Sequence, residues 1–273
     1  MSGDRRQARN GRQGVGDAVC ELVPDDDGRG GLTVLVGGVP SSHVDPGDPT
    51  RLDFEYMRWI GDLLDVVGDP GTPLRAVHLG GAGCTLPRYL EATRPGSVQI
   101  VYEISAEVVE AVRRGLGLRS TRRLRIRVGD GRAGLAALAD GSQDVVVRDA
   151  FSGDRVPGHL VTRGFLGEVA RVLAPGGLYV ANLADAPPLT MARAEAATAG
   201  AVFDEVGLVA EPAQFKGRRY GNVVLVASRT ALPVLPLARR LASGAVRARL
   251  LTTAEVRAFC AGTRVLEDAD PPA

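Results

Sequence analysis

The fold of this chain is decided by residues 75–90, which have the sequence RAVHLGGAGCTLPRYL. A short apolar run ends in a loop with glycines at positions 80, 81 and 83, and a segment with helical spacing follows. Glycine lets the backbone approach a ligand closely, and a helix N-terminus offers free N–H groups. The stretch predicts a strand, a ligand-contacting loop and a helix, although such loops also serve only to close tight turns.

The pattern of strand followed by helix repeats along the chain. Further strands are predicted at residues 97–103, 124–130, 144–150 and 177–183, and helices at 86–92, 106–115, 133–139, 162–173 and 191–206. Mostly apolar strands are typical of a parallel sheet covered on both faces. The alternation predicts a doubly wound α/β fold, and two closing runs at 208–210 and 222–227 predict an antiparallel edge.

The flanking segments divide the chain further. Residues 1–30 are predicted to be a flexible tail with one short strand at 18–23, and residues 31–70 a small β unit with an amphipathic helix starting near Asp48. Residues 71–230 are predicted to form the sheet domain. Residues 231–273 are predicted to be a proline-containing linker, a helix capped by Thr252 or Thr253, and a frayed end.

Composition excludes several classes of protein. The chain has 273 residues, 45% hydrophobic and 24% charged, which is a globular mix. Its 33 basic and 32 acidic side chains give a net charge of +1, so no nucleic-acid partner is indicated. No apolar run reaches the ~20 residues of a membrane helix. The three cysteines form no CxxC pair and the histidines no ligand spacing, so we expect no metal site and a cytoplasmic location.

Ligands in open α/β sheets bind at the carboxyl ends of the strands, where this chain carries acids. Glu103 lies roughly 20 residues after the glycine loop, which suits a bond to a ribose diol. The alternative is an exposed carboxylate that caps the next helix. Asp130, between two glycines, can reach an adenine amine, can cap a helix, or both.

The fourth strand is followed by two acids, Asp149 and Asp154. Acids at a cleft mouth suit an amine substrate, and one can take a proton from an ammonium nucleophile. Asp154 is equally well explained as the start of a loop, whereas an acid that ends a buried strand requires a partner or a role. His78 is interpreted as a core residue, Cys84 as a small wall residue, and His159 as lining the loop after Asp149.

Several motifs together resemble the spermidine synthases, the polyamine aminopropyltransferases, which have the class I methyltransferase-like, Rossmann-like fold. The resemblance is greatest to the actinobacterial branch and to the domain fused to membrane transporters, and it covers about three quarters of the chain. The residues that carry it are VGGVPSSHVDPGDPTRLDFEYMRWI at 36–60, the glycine-loop stretch, VYEIS, VGDGR and residues 144–183.

The resemblance implies a transferase of polyamine biosynthesis, with decarboxylated S-adenosylmethionine as co-substrate, a small-molecule amine as acceptor and no tightly bound cofactor. It makes Asp149 the base for the amine and Tyr56 the tyrosine of a Tyr-His-Glu motif. The nucleoside would contact a set from the strand ends: Gly80, Gly81, Gly83, Glu103, Asp130 and Gly131. Asp154, Ser42 and His43 are predicted on the substrate side, His43 as part of a lid. Family members often form dimers, which leaves a homodimer open.

The chain departs from the family pattern at some of these positions. Gly83 stands where the family has an aspartate that holds the aminopropyl ammonium, and Met57 and Arg58 follow Tyr56. A family glutamine corresponds to Ser41 or Ser42, and Asp154 lies five positions after Asp149 instead of three. Three functions therefore stay open: an aminopropyltransferase, a methyltransferase that uses S-adenosylmethionine itself, and a non-catalytic nucleoside-binding paralogue.

Overall fold

The computed structural model describes residues 20–26, 28–81, 83–244 and 246–268. Most of the predicted N-terminal tail and the last five residues of the predicted frayed end lie outside this part of the chain. No helix in the described ranges is both long enough and apolar enough to cross a membrane.

A three-stranded antiparallel sheet comes first in the chain. Its strands are β1 (Cys20–Pro24), β2 (Leu32–Val36) and β3 (Val39–Val44), in that spatial order. Gly37 and Gly38 both have positive φ, as a two-residue hairpin between twisted strands requires. The predicted strand near residue 20 is thus the first strand of this sheet, which begins before residue 31.

The second sheet has eight strands and forms the centre of the molecule. In chain order they are β4 (Arg75–Leu79), β5 (Val98–Glu103), β6 (Leu124–Val128), β7 (Gln143–Arg148), β8 (Leu173–Asp185), β9 (Glu205–Ala210), β10 (Gly221–Ser228) and β11 (Arg249–Leu251). Their spatial order is β11-β9-β10-β8-β7-β4-β5-β6. Strands β4 to β8 are parallel, while β10 is antiparallel to β8 and β9, and β11 to β9. The predicted α/β class is confirmed.

Helices cover both faces of this sheet. They are α1 (Glu55–Asp65), α2 (Thr85–Thr93), α3 (Ala106–Leu116), α4 (Gly131–Ala136), α5 (Arg163–Val172), α6 (Thr190–Gly200), α7 (Pro212–Phe215), α8 (Val234–Ser243) and α9 (Thr253–Phe259), with a 3₁₀ turn at Gly158–Leu160. Within β7, Val145 and Val147 pack in one cluster with α1, α2 and α8, and Val146 packs in another with α5 and α6. Both sets of side chains are buried, which explains the unbroken apolar strand runs.

Two predicted helices have different limits in the structure. Helix α1 begins at Glu55 and not near Asp48, because the Asp48 carboxylate accepts the backbone N–H of Thr50 (3.0 Å) and forms a turn instead. Helix α6 ends at Gly200, and Val206, predicted at the end of that helix, belongs to β9.

The segment after Arg229 is more regular than the predicted linker. It contains helix α8 and strand β11, and β11 pairs with β9, so β9 and β10 are not the edge of the sheet. Pro233 and Pro236 suggested a linker. Pro233 is the N-cap of α8 and Pro236 lies in its first turn, where a backbone N–H has no helical partner and proline is tolerated.

Candidate functional site

The candidate site lies where the carboxyl ends of β4 to β8 meet. The strand order reverses between β4 and β7, and a crevice at such a reversal is the usual ligand site of an open α/β sheet. Gly80 follows β4, Glu103 ends β5, Asp130 follows β6 and Asp149 follows β7. The fold therefore brings these four predicted residues to one edge of the sheet.

Gly80 makes the closest backbone approach at this edge. Its φ is 86°, and a Cβ atom added to it would lie 2.2 Å from the carbonyl oxygen of Asp149. The Gly80 N–H donates to the carbonyl of Tyr102 (2.8 Å), and the Asp149 N–H donates to that of Leu79 (2.8 Å). Residue 80 must be glycine because the backbones after β4 and β7 touch here.

Gly81 connects the loop to Glu103. Its backbone N–H donates to Oε2 of Glu103 (3.0 Å), and the N–H of Ser105 donates to Oε1 (3.1 Å). Helix α3 is capped by the Ser105 side chain, which accepts the N–H of Val108 (3.2 Å). Glu103 thus does not act as the cap of the next helix, and its carboxylate is held against the glycine loop.

Gly83 is the point where the loop meets the N-terminal sheet. A Cβ atom at this position would lie 2.7 Å from Cγ2 of Val44 and 3.0 Å from Oγ of Ser42, both on β3. The aspartate that the family resemblance led us to expect would therefore collide with β3 unless this strand moved away. Glycine at residue 83 allows the close packing of the two sheets.

Ser42 and His43 are buried residues of β3, where the N-terminal sheet meets the glycine loop and the start of α2. The hydroxyl of Thr85, at the start of α2, donates to the carbonyl of His43 (2.7 Å) and lies 2.9 Å from Oγ of Ser42. The His43 ring contacts Asp25 through Nε2 (2.7 Å). Both predicted substrate-side residues take part in the junction of the sheets, and their role toward a substrate stays a prediction.

Asp130 has two partners in the structure. It is the N-cap of α4, where Oδ1 accepts the N–H of Ala133 (2.9 Å), and Oδ2 lies 2.7 Å from Nε2 of His159. Burial would raise the pKa of Asp130, but these bonds outweigh it and lower the pKa below its ordinary value. The predicted cap is confirmed, and the carboxylate stays ionised. Gly131 follows in close contact, since a Cβ there would lie 3.1 Å from Cδ2 of Leu79.

Asp149 is held by one donor on each carboxylate oxygen. The hydroxyl of Tyr56, in the first turn of α1, donates to Oδ2 (3.3 Å), and the side-chain amide of Asn182, in β8, donates to Oδ1 (2.9 Å). Tyr56 is 8% exposed and Asn182 is 1% exposed. The structure thus joins the predicted pair Asp149 and Tyr56, and it adds Asn182, which we did not predict. Its only signal in the sequence is a polar residue inside the apolar run GLYVANL.

The electrostatics of Asp149 combine opposing effects. Burial raises its pKa above the ordinary aspartate value, the two donors and the Arg148 guanidinium oppose that rise, and the charge of Glu103 adds to it. Burial and the charge of Asp149 raise the pKa of Tyr56 well above its usual value, so Tyr56 remains a donor. A carboxyl with a raised pKa is a suitable proton acceptor for an amine.

Arg148 forms a buried ion pair next to this carboxylate. Its guanidinium lies 2.5 Å from Oε2 of Glu195, in α6, and donates to the hydroxyl of Tyr179 (3.1 Å). Arg148 is 0% exposed and Glu195 is 5% exposed. The Arg148 guanidinium lies close enough to lower the pKa of Asp149, while Glu195 balances its charge. We did not predict this pair from the sequence.

Other predicted residues lie away from this group. The Asp154 side chain is 87% exposed, and its Oδ1 lies 3.9 Å from Nε of Arg155. His78 is a core residue, as predicted: it is buried beside Gln99 (3.0 Å), and burial lowers its pKa to about 4. Cys84 is buried, and burial raises the pKa of its thiol to about 12, which fits a wall residue. Within the described ranges, no three His, Cys, Asp or Glu side chains converge as metal ligands.

The fold and the acids at its sheet edge define a protein of the class I methyltransferase-like type. Human methyltransferase-like protein 13 in complex with SAH shares the fold, with a TM-score of 0.53 and 20% identity over 78% of this chain and 94% of that one. The chain belongs to the spermidine synthase family, the polyamine aminopropyltransferases. It is 35% identical to a probable spermidine synthase from Corynebacterium glutamicum, whose structure matches 96% of this chain and 99% of that chain with a TM-score of 0.86.

A second relative supports the same family. The chain is 31% identical to the polyamine aminopropyltransferase of Vibrio vulnificus over 193 residues, which are 70% of this chain. The matched region spans 61% of the Vibrio protein. No protein-family model matches the chain.

Proposed function

We propose that this protein transfers an aminopropyl group from decarboxylated S-adenosylmethionine to a small-molecule amine. The observation that carries the proposal is the Asp149 carboxylate, held by Tyr56 and Asn182 at the reversal of strand order. The family relation supports the reaction class, and the three unpaired cysteines fit the cytoplasm as the proposed location.

In this reaction the acceptor must first lose a proton. An alkylammonium has an ordinary pKa near ~10, so it arrives charged and has no lone pair for attack. The proton passes to Asp149, and the freed lone pair attacks the carbon bonded to the sulfonium sulfur. The carbon–sulfur bond breaks, its electron pair stays on sulfur, and a neutral thioether leaves. The protein's main contribution is alignment of the two substrates and exclusion of water.

The nucleoside is assigned to the adjacent strand ends. The backbone N–H groups of Gly81 and Ser105 donate to the Glu103 carboxylate and hold it at the end of β5, the position suited to a ribose diol. Asp130 is ionised and lies one strand further along the edge. The glycines at 80, 81 and 131 allow these strand ends to pack closely together, since an added Cβ would meet the Asp149 backbone, Val101 or Leu79.

A second candidate is a methyltransferase that uses S-adenosylmethionine itself. The observation in its favour is Gly83, because this loop position lacks the aspartate that would bind the ammonium of an aminopropyl group, and β3 occupies the space. Without that anion, the site has less reason to prefer an aminopropyl chain to a chain that carries a carboxylate.

Calorimetric titration with each nucleoside, followed by product analysis, separates these candidates. We expect tighter binding of decarboxylated S-adenosylmethionine and aminopropyl transfer to putrescine, cadaverine or agmatine.

Asp149→Asn should lower the rate of aminopropyl transfer by about 10²–10⁴-fold, since it removes the proton acceptor. The matched control is Asp140→Asn, an exposed acid paired with Arg171. Methyl transfer, or a preference for the undecarboxylated form, would replace the proposal by the second candidate. No binding of either nucleoside would indicate a non-catalytic paralogue.

A further inference from the structure

Asn182 is a buried polar residue within an otherwise apolar strand. The register of β7 and β8 pairs Arg148 with Ala181, so the next residues, Asp149 and Asn182, lie side by side at the end of the two strands. Asn182 is 1% exposed. A buried amide costs free energy unless its donors and acceptor find partners, so its presence there requires a reason.

One half of this amide has a partner. A carboxylate only accepts hydrogen bonds, so the amide nitrogen faces Asp149 and donates to Oδ1 (2.9 Å). Tyr56 donates to the other oxygen, Oδ2 (3.3 Å). With a donor on each oxygen, the plane of the carboxylate is fixed, and each oxygen keeps a lone pair for a substrate.

The other half of the amide lacks a donor. The Oδ1 atom of Asn182 is buried, and no donor among the described residues forms a hydrogen bond with it. Because the oxygen and nitrogen of an amide are bonded to the same carbon, this unpaired oxygen lies beside the Asp149 carboxylate. The ends of β7 and β8 therefore hold two neighbouring acceptors, the charged Asp149 carboxylate and the buried, neutral Oδ1 of Asn182.

We propose that Asn182 orients Asp149 and accepts, through its Oδ1 atom, a second N–H of the amine nucleophile. This inference rests on the proposed function. A protonated primary or secondary amine has at least two N–H bonds: one delivers its proton to Asp149 and another donates to Asn182. A hydroxyl or thiol has one hydrogen and cannot serve both acceptors. The pair thus selects amines over oxygen and sulfur nucleophiles.

The test compares Asn182→Ala with the conservative Asn182→Gln. For Asn182→Ala we expect kcat to fall about 10- to 100-fold and the KM for the amine to rise, because an orienting bond and an acceptor are both lost. The acidic limb of the kcat/KM profile should move to higher pH, since the ionised form of Asp149 loses a donor. Affinity for the nucleoside should not change. Asn182→Gln should recover part of the activity.

Asn222→Ala is the matched control. This asparagine lies on β10, next to β8, in register with Ala184. It should keep the wild-type rate and pH profile. The inference would be overturned if the pH profile of kcat/KM for Asn182→Ala coincided with that of the wild type. It would also be overturned if the substitution weakened only the binding of the nucleoside.

A second measurement separates this inference from the proposed function. The Asp149 carboxyl is titrated by ¹³C NMR in wild-type protein and in Asn182→Ala, assigned by its absence in Asp149→Asn. A higher pKa in Asn182→Ala supports the orienting bond even if the wild type transfers no aminopropyl group, in which case only the proposed function fails. An unchanged pKa overturns the inference whatever the activity.

Discussion

At the scale of single residues, Asp149 combines a chemical role with a cost in stability. Burial raises its pKa, and the bonds from Asn182 and Tyr56 only partly compensate. A carboxyl whose pKa is higher in the folded than in the unfolded state binds its proton more tightly when folded. Its favourable contribution to stability is therefore complete below the unfolded pKa and is lost as the pH rises through the folded pKa.

Asp149→Asn should consequently stabilise the protein at neutral pH while it removes activity. The amide has nearly the same shape, its oxygen can accept from Asn182, and the Tyr56 hydroxyl can accept from its nitrogen. We expect a gain on the order of 1 kcal/mol, or ~2–4 °C in Tm. The gain should shrink on acidification and vanish below the unfolded pKa of ~3.9. Thermal unfolding from pH 4 to 8 measures it, and a variant less stable than wild type at pH 7 would contradict this account of Asp149.

Gly83 shows how one residue can be explained only by a distant contact. In the sequence it is a missing aspartate, a departure without a cause. In the structure Val44 and Ser42 occupy the space that any larger side chain would need. The absence of an aspartate at residue 83 is therefore explained by the close packing of β3 against the loop.

At the scale of elements, the strands and the C-terminal helix α9, with Thr252 as its N-cap, were predicted well, whereas the segment between Arg229 and that helix was predicted poorly. Strands β4 to β8 are apolar runs bounded by glycine, proline or acids, and such local patterns are visible without the fold. Helix α8 was missed because prolines at 233 and 236 are typical of a linker, and β11 because it has only three residues. Both are stabilised by contacts with distant parts of the chain: Leu237 packs in the cluster that contains α1, and β11 pairs with β9.

Helix α8 should therefore contribute measurably to global stability. Leu237 is 1% exposed, and Leu237→Ala should lower the free energy of unfolding by about 2–4 kcal/mol, through lost burial and the cavity left behind. Leu235, on the same helix, is 71% exposed. Leu235→Ala should therefore change the free energy of unfolding by less than about 0.5 kcal/mol. Urea unfolding compares the two. Equal effects would show that the helix does not pack on the sheet as described.

At the scale of the whole molecule, the N-terminal sheet is joined to the eight-stranded sheet by contacts next to the candidate site. Thr85 links them, since its hydroxyl lies in α2 and donates to the carbonyl of His43 on β3. Gly83 adds a close backbone contact to the same strand. The site edge and the N-terminal sheet are therefore coupled at the start of α2.

Removal of this link should loosen the N-terminal sheet first. Thr85→Val keeps the shape of the side chain and deletes the hydroxyl. The loss of one hydrogen bond, worth ~1 kcal/mol, should make amide hydrogen exchange in β3 about fivefold faster. Exchange in β7 should stay as in wild type. Thr93→Val, which deletes a hydroxyl bound to the carbonyl of Tyr89 at the other end of α2, is the control. Equal acceleration in both variants would argue against a specific link at Thr85.

The net charge of +1 conceals an uneven distribution of charge over the molecule. Glu103, Asp130 and Asp149 all lie at the carboxyl ends of parallel strands and therefore gather at one edge of the sheet. A chain that is neutral overall thus has a local group of acids where a cationic substrate is proposed to bind.

The amino-acid sequence by itself determined the α/β class, the parallel strands and the acids at their ends, because hydrophobic period and turn chemistry are local properties of the chain. It could not determine which of those ends become neighbours. Only the tertiary structure set Asn182 against Asp149, 33 residues apart, packed Gly83 on Val44, and placed β11 beside β9. These contacts depend on the spatial order and register of strands, which result from the packing of the whole sheet and from no single segment of it.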